Sequence, residues 1–234
     1  MPDAVSRLVP LVRDRIAELA DPVRAPQMQA YMKSELPYRG VPSAPLRAVL
    51  RRVLAEHPLP DRAAWESAVR LLWDDAFYRE ERYAATTLAG HRLYRAHQDP
   101  DTLVLHRHLI TTGAWWDHVD ALATRHVGPV LATYPTEVEP VMRAWSVEDD
   151  LWLRRTAILC QLHHRERTDL DLLRDVVVAN LEGTRHGSEF FVRKAIGWAL
   201  RQHARTDPGW VRAFVEEHHD RLAGLSRREA LKHL

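Results

Sequence analysis

The run RTAILCQL, residues 155–162, has two counterparts in the chain: RYAATTLA at 82–89 and RKAIGWAL at 193–200. Each opens on an arginine and continues in alanine and larger apolar residues. Arg82, Arg155 and Arg193 lie 73 and then 38 positions apart, which fits a unit of about 37 residues with one copy skipped. The skipped copy falls near residue 119, inside WWDHVD at 115–120. A period near 40 built from two helices is the signature of HEAT-like stacking. Such units bury a continuous core and curl into a curved α-solenoid with a concave face. The flanking sequence agrees. Glycine is scarce, and no segment sustains the alternation of a strand. Prolines such as Pro22, Pro26, Pro37, Pro42, Pro58, Pro60, Pro100, Pro135 and Pro208 punctuate segments of roughly 10–18 residues. Asp99-Pro100 and Asp207-Pro208 supply helix starts, an Asp cap before a first-turn Pro. The chain thus reads as all-α, with about a dozen helices and no sheet.

WWDHVD is the densest chemistry in the sequence. Residues four apart on a helix stand above one another, so Trp115, Val119 and Leu122 form a stripe that can bury itself. Trp116 and Asp120 share the neighbouring face. A large aromatic ring beside a carboxylate at the edge of a packed surface is either a surface Asp next to a half-buried Trp or part of a site.

Two further helices carry features that packing does not demand. The row 151, 155, 158, 162 is apolar except for Arg155. A guanidinium there is costly unless paired or aimed at an anion. The candidate partners nearby are Asp149 and Asp150. In FFVRKAIGWALRQ, residues 190–202, Phe191, Ala195 and Trp198 share one face while Arg193, Gly197 and Arg201 line another beside Lys194. Gly197 costs roughly 1 kcal/mol in a helix interior relative to Ala. Either a ligand or a neighbouring helix approaches the backbone there.

Composition narrows the function classes. The formal net charge is +1 over 234 residues, but it is unevenly placed. Residues 1–60 carry nine Lys/Arg against six Asp/Glu, 61–150 nine against fifteen, and 190–234 nine against five. Both ends are basic and the centre is acidic, a distribution that suits an anionic partner better than the total suggests. No stretch approaches the roughly 20 apolar residues of a membrane span, and the N-terminus lacks the apolar block of a signal peptide. The single Cys160 excludes an internal disulfide and fits a reducing cytoplasm, and its apolar neighbours mark it as a small buried hydrophobe. Fourteen histidines invite a metal site, but no HExxH occurs and one cysteine cannot build a thiolate zinc centre. No metal and no cofactor are expected. Phosphate-loop and dinucleotide glycine fingerprints are also missing. Trp65, Trp73, Trp145 and Trp210 read as packing residues.

Taken in order, five blocks resemble the DNA alkylation repair enzymes, the HEAT-like-repeat DNA glycosylases of the AlkD type. They are Ala30-Tyr31-Met32-Lys33 with Leu36-Pro37-Tyr38-Arg39-Gly40-Val41, then WWDHVD, LWLRRTAIL at 151–159, FFVRKAIGWAL at 190–200, and LSRREALKHL at 225–234. The resemblance runs from about Gln27 to Leu234. It implies one HEAT-like domain over residues 1–234 whose basic concave face grips duplex DNA. It also implies a monomer, located in the cytoplasm with the nucleoid of a prokaryote. The implied activity is excision of cationic N3- and N7-alkylated purines without extruding the damaged base, unlike the flipping general among glycosylases. By the same resemblance Asp120 is the catalytic carboxylate, and Trp116 and Trp198 flank the lesion's deoxyribose. Arg155 contacts the DNA backbone and Tyr31 lines the cleft. Arg154, Lys33, Arg193, Lys194, Arg227, Arg228 and Lys232 join the DNA-binding set. The segment 182–188 is longer than expected between the last two motifs.

The chemistry fits those residue types. An N3- or N7-alkylated purine already carries positive charge, so it departs as a neutral base and needs no general acid. The C1′–N bond breaks toward an oxocarbenium-like sugar, as in glycoside hydrolysis. One ionised carboxylate can stabilise that cation and orient the attacking water, and indole faces can attract the cationic nucleotide. The alternative is a catalytically inactive HEAT-like scaffold that binds DNA or a protein. A carboxylate in an anion-binding cleft repels phosphate, which favours the enzyme.

Overall fold

All regular structure among the described residues, 3–234 of the computed structural model, is helical. The chain divides into two compact units, Met1–Gln98 and Asp99–Leu234.

The first unit holds α1 (Ala4–Ala17), α2 (Ala25–Met32), α3 (Ser43–Glu56), α4 (Arg62–Asp74) and α5 (Arg79–Ala89). Asp3 caps α1 by accepting from the Ser6 N–H at 2.7 Å, and Val5, Leu8, Val9, Val12 and Ile16 form its buried stripe. That stripe packs on α4, whose Trp65 and Trp73 are fully buried. Burying each valine, leucine or isoleucine of the stripe contributes about 1.5–3 kcal/mol. The Trp65 indole N–H donates to the Leu88 carbonyl at the end of α5 at 3.1 Å, so its polar atom is not stranded. The block Tyr38-Arg39-Gly40-Val41 has a structural explanation. The buried Glu80 carboxylate accepts the backbone N–H groups of Arg39, Gly40 and Val41 at 2.9–3.1 Å. Gly40 sits at φ +83°, and a Cβ there would lie 2.2 Å from the Asp21 carbonyl oxygen. Only glycine fits that turn.

The second unit begins with a 3₁₀ turn, Pro100–Thr102, capped by Asp99, which leads into α6 (Leu103–Gly113). Then follow α7 (Trp116–Leu122), a π-helical turn at Ala123–Val127, α8 (Gly128–Thr133), α9 (Pro135–Trp145) and α10 (Leu151–Leu159). The unit closes with α11 (Leu170–Val178), α12 (Phe190–His203), α13 (Pro208–Glu217) and α14 (Gly224–Ala230). Within it α7, α10, α12 and α14 pack side by side in that order, while α9 and α11 back α10, and α13 backs α12 and α14. The three quoted runs begin on α5, α10 and α12, that of 155–162 continuing past the end of α10, and the skipped position lies on α7. Among the described residues no helix is long and apolar enough to cross a membrane.

Helix α10 explains the arginine doublet. All of its residues from Trp152 to Leu159 are buried, so both guanidinium groups must be satisfied inside the protein. Asp150 caps the helix, accepting from the Trp152 and Leu153 N–H groups at 2.8 and 2.9 Å. Arg154 donates to the carbonyls of Glu148 and Val147 and to Asn180 Oδ1, while Asn180 Nδ2 donates to Ser146 and Val176. Arg154 therefore ties the loop before α10 to the end of α11. Cys160, at the end of α10, is buried, and burial pushes its thiol up to about 12. The segment 182–188 is pinned on both sides. Arg185 pairs with Asp149, His186 Nε2 lies 2.9 Å from the Asp149 carbonyl, and Arg193 Nε donates to the Gly187 carbonyl at 3.2 Å.

Candidate functional site

A cleft of about 500 Å³ opens on the row α7, α10, α12 and α14. Helix α7 supplies Trp116 and Asp120, one turn apart, and α10 supplies Arg155. Helix α12 contributes Phe190, Phe191, Lys194, Trp198 and Arg201 on its i, i+4, i+7 face, and α14 contributes Glu229. The segments far apart in sequence that carry Trp116, Asp120, Arg155 and Trp198 thus converge on one cleft.

Asp120 and Arg155 form its polar centre. Arg155 Nε donates to Asp120 Oδ1 at 2.7 Å and Nη2 to Oδ2 at 2.8 Å, while Nη1 donates to the Phe191 carbonyl. The side chains are only 5% and 16% exposed. This is the bidentate, charge-assisted geometry for which guanidinium is suited. Burial raises the Asp120 pKa above the ordinary carboxylate value, and the hydrogen bonds and charge of Arg155 oppose that rise. Each carboxylate oxygen accepts one Arg155 hydrogen bond and retains acceptor capacity for water or a cationic sugar. Beneath the pair, Phe191 packs on Trp152 and Trp115 with ring centroids 5.0 and 5.5 Å apart, and Arg155 lies 5.9 Å from the Phe191 ring.

The other sequence-selected residues distribute as follows. Arg155 does have a carboxylate partner, but it is Asp120 on α7 rather than Asp149 or Asp150. Asp150 is engaged as the cap of α10 and Asp149 with Arg185. Arg154 is buried with its donors turned to Glu148, Val147 and Asn180, which leaves it no place in the cleft. Arg193 pairs with Glu182 at 3.1 Å and Arg227 contacts His219, whereas Arg228 and Lys232 are exposed. Tyr31, 79% exposed on α2, and Lys33, its left-handed cap at φ +50°, belong to the first unit. Among the described residues no three His, Cys, Asp or Glu side chains stand together as metal ligands.

Glu229 and Phe190 are cleft residues that the sequence did not single out, and Phe191 was marked only by the face it shares with Trp198. Glu229 pairs with Arg201 and lies 3.7 Å from Lys194 Nζ. Its backbone comes close because residue 197 is glycine: a Cβ there would lie 2.7 Å from Glu229 Cβ and 3.2 Å from Ser226 Cα. Of the two explanations for Gly197, helix packing is the one displayed. The signal for Glu229 was its place in LSRREALKHL, but only the packing of α14 on α12 reveals it.

A family model of DNA alkylation repair enzymes matches residues 12–234. A solved structure described as a predicted DNA alkylation repair enzyme from Enterococcus faecalis is 31% identical, with a TM-score of 0.78. The match covers 92% of this chain and 96% of that one. No curated protein matches the chain. With its helices, its cleft and these matches in hand, the chain belongs to the DNA alkylation repair enzyme family.

Proposed function

We propose that this protein is a monofunctional DNA glycosylase that releases cationic N3- or N7-alkylated purines from duplex DNA, leaving an abasic site. The observation that carries the proposal is the Asp120 carboxylate, held by Arg155 in a cleft that also presents Trp116 and Trp198. A buried carboxylate tends toward the neutral form, and a bidentate guanidinium opposes that tendency. Asp120 is thereby kept available as an anion beside two indoles.

The roles follow from the bond that breaks. Trp116 and Trp198 offer π faces to the positively charged nucleotide. As the C1′–N bond lengthens, charge moves onto the sugar, and Asp120 stabilises that cation and takes a proton from the attacking water. Arg155 is the positioning residue: it fixes the carboxylate plane and holds it ionised. The DNA-backbone contact that the resemblance implies for Arg155 would have to form beside this ion pair. Lys194 and Arg201 supply positive charge for strand phosphates, with Arg228 and Lys232 as further exposed cations on the C-terminal segment. Tyr31 and Lys33, in the first unit, are proposed as further DNA contacts. Excision without base extrusion suits an open cleft of this kind, and it leaves bulky cationic adducts as admissible substrates.

The test is incubation with a duplex containing a single N7-methylguanine. The proposal expects free 7-methylguanine and an alkali-labile abasic site. An intact glycosidic bond on this duplex, on its N3-methyladenine counterpart and on a bulky cationic purine adduct would contradict it.

A further inference from the structure

Glu229 is unexpected in a cleft that must accept a polyanion. Asp120 already has Arg155, so Glu229 is not needed to complete that pair. Glu229 instead neutralises the two other cations of the cleft, contacting Arg201 closely and Lys194 at 3.7 Å. The contact is built in. Helix α14 seats on α12 at Gly197, where no Cβ could be accommodated without moving Glu229 or Ser226. Ser226 Oγ fastens the same junction by donating to the Arg193 carbonyl at 2.8 Å. Glu229 is 22% exposed and Lys194 41% exposed, so the carboxylate is held from a packed position while the ammonium remains open to solvent and ligand.

We propose that Glu229 is a specificity-determining residue that competes with DNA phosphates for Lys194 and Arg201. The inference rests on the duplex-binding reading above. A cation paired with a protein carboxylate releases fewer counterions from DNA than a free one, and sequence-independent affinity falls accordingly. A positively charged nucleotide is not penalised by the carboxylate. Glu229 thus lowers the affinity of the cleft for undamaged duplex relative to duplex carrying a cationic purine.

The experiment is equilibrium binding of the full chain to an undamaged duplex across a salt series, for wild type, Glu229→Gln, Lys194→Gln and the double variant. Thermal unfolding is recorded for each. Glu229→Gln should bind undamaged duplex several-fold more tightly, with a log K against log salt slope steeper by roughly 0.9 per phosphate gained. Lys194→Gln should cost the wild-type slope less than the roughly 0.9 of a free phosphate contact, and should cost the Glu229→Gln slope the full amount. A folded Glu229→Gln with an unchanged or shallower slope would overturn the inference and make Glu229 a brace for the two cations. If Glu229→Gln does not fold, the slope of Lys194→Gln decides, and a loss of roughly 0.9 there would overturn the inference. Failure of the wild type to bind any duplex would instead remove the reading on which the inference rests.

Discussion

At the scale of single residues the proposed mechanism depends on the ionisation of one carboxylate. Burial pushes the Asp120 pKa up and Arg155 pulls it back. The proposed base release requires the anion, so it should decline as pH falls through a pKa above the ordinary carboxylate value. In Arg155→Ala burial acts unopposed, and the acidic limb of the pH profile should move to higher pH with slower release at neutrality. Single-turnover rates across pH check this, and an unmoved limb would show that Arg155 does not hold the Asp120 charge. These residues were half legible in the sequence. The apolar register of α10 singled out Arg155, and helical spacing placed Trp116 over Asp120. The Arg155–Asp120 pairing was not legible, because it joins positions 35 apart and needs the packing of α10 on α7. Proximity in sequence suggested Asp149 and Asp150, of which the first pairs with Arg185 and the second caps α10.

At the scale of elements the junctions are what sequence periodicity leaves open. Gly197→Ala gains roughly 1 kcal/mol of helix propensity. Against this stands a Cβ contact of 2.7 Å with Glu229 Cβ and 3.2 Å with the Ser226 backbone, neither of them a flexible side-chain tip. Overpacking of this kind costs typically about 1–3 kcal/mol. The clash wins, so the variant should unfold at lower urea; a stabilised variant would show that α14 can shift freely. A second junction should be sensitive to acid. His106 on α6 and His126 in the π-helical turn are both buried, with ring centroids 5.6 Å apart. Burial pushes His126 down to about 4 and His106 well below the ordinary histidine value. A folded-state pKa below the unfolded one means that the unfolded chain binds the proton first. Stability should therefore fall as pH drops from about 6.5 toward 4. Thermal midpoints from pH 7.5 to 5 check this, and His126→Leu should flatten the slope. An equal slope in that variant would remove His126 as a source of the acid sensitivity.

At the scale of the whole molecule the all-helical class was legible because glycine is scarce, prolines punctuate and the arginine-led runs recur. Each run starts on a helix, yet the arginines are not equivalent. Arg82 lies 5.0 Å from the Trp73 ring, Arg155 holds Asp120, and Arg193 reaches Gly187 and Glu182. The recurring run marks helices, and the cleft residues come from three of those positions, on α7, α10 and α12. A net charge of +1 hides a cleft in which two carboxylates stand against three cations, Arg155, Lys194 and Arg201. The central claim is that one of those carboxylates, Asp120, stabilises a sugar cation. It is tested most directly by wild type beside Asp120→Asn on a duplex with one N7-methylguanine, at matched occupancy and at a temperature where both are folded. Removing one partner of a buried ion pair costs about 3–5 kcal/mol of stability when burial is complete, so the unfolding midpoint of the variant must be known first. The account predicts duplex binding retained or tightened, with base release reduced by roughly 10²-fold or more. Equal release from the two proteins would contradict it and take Asp120 out of the mechanism.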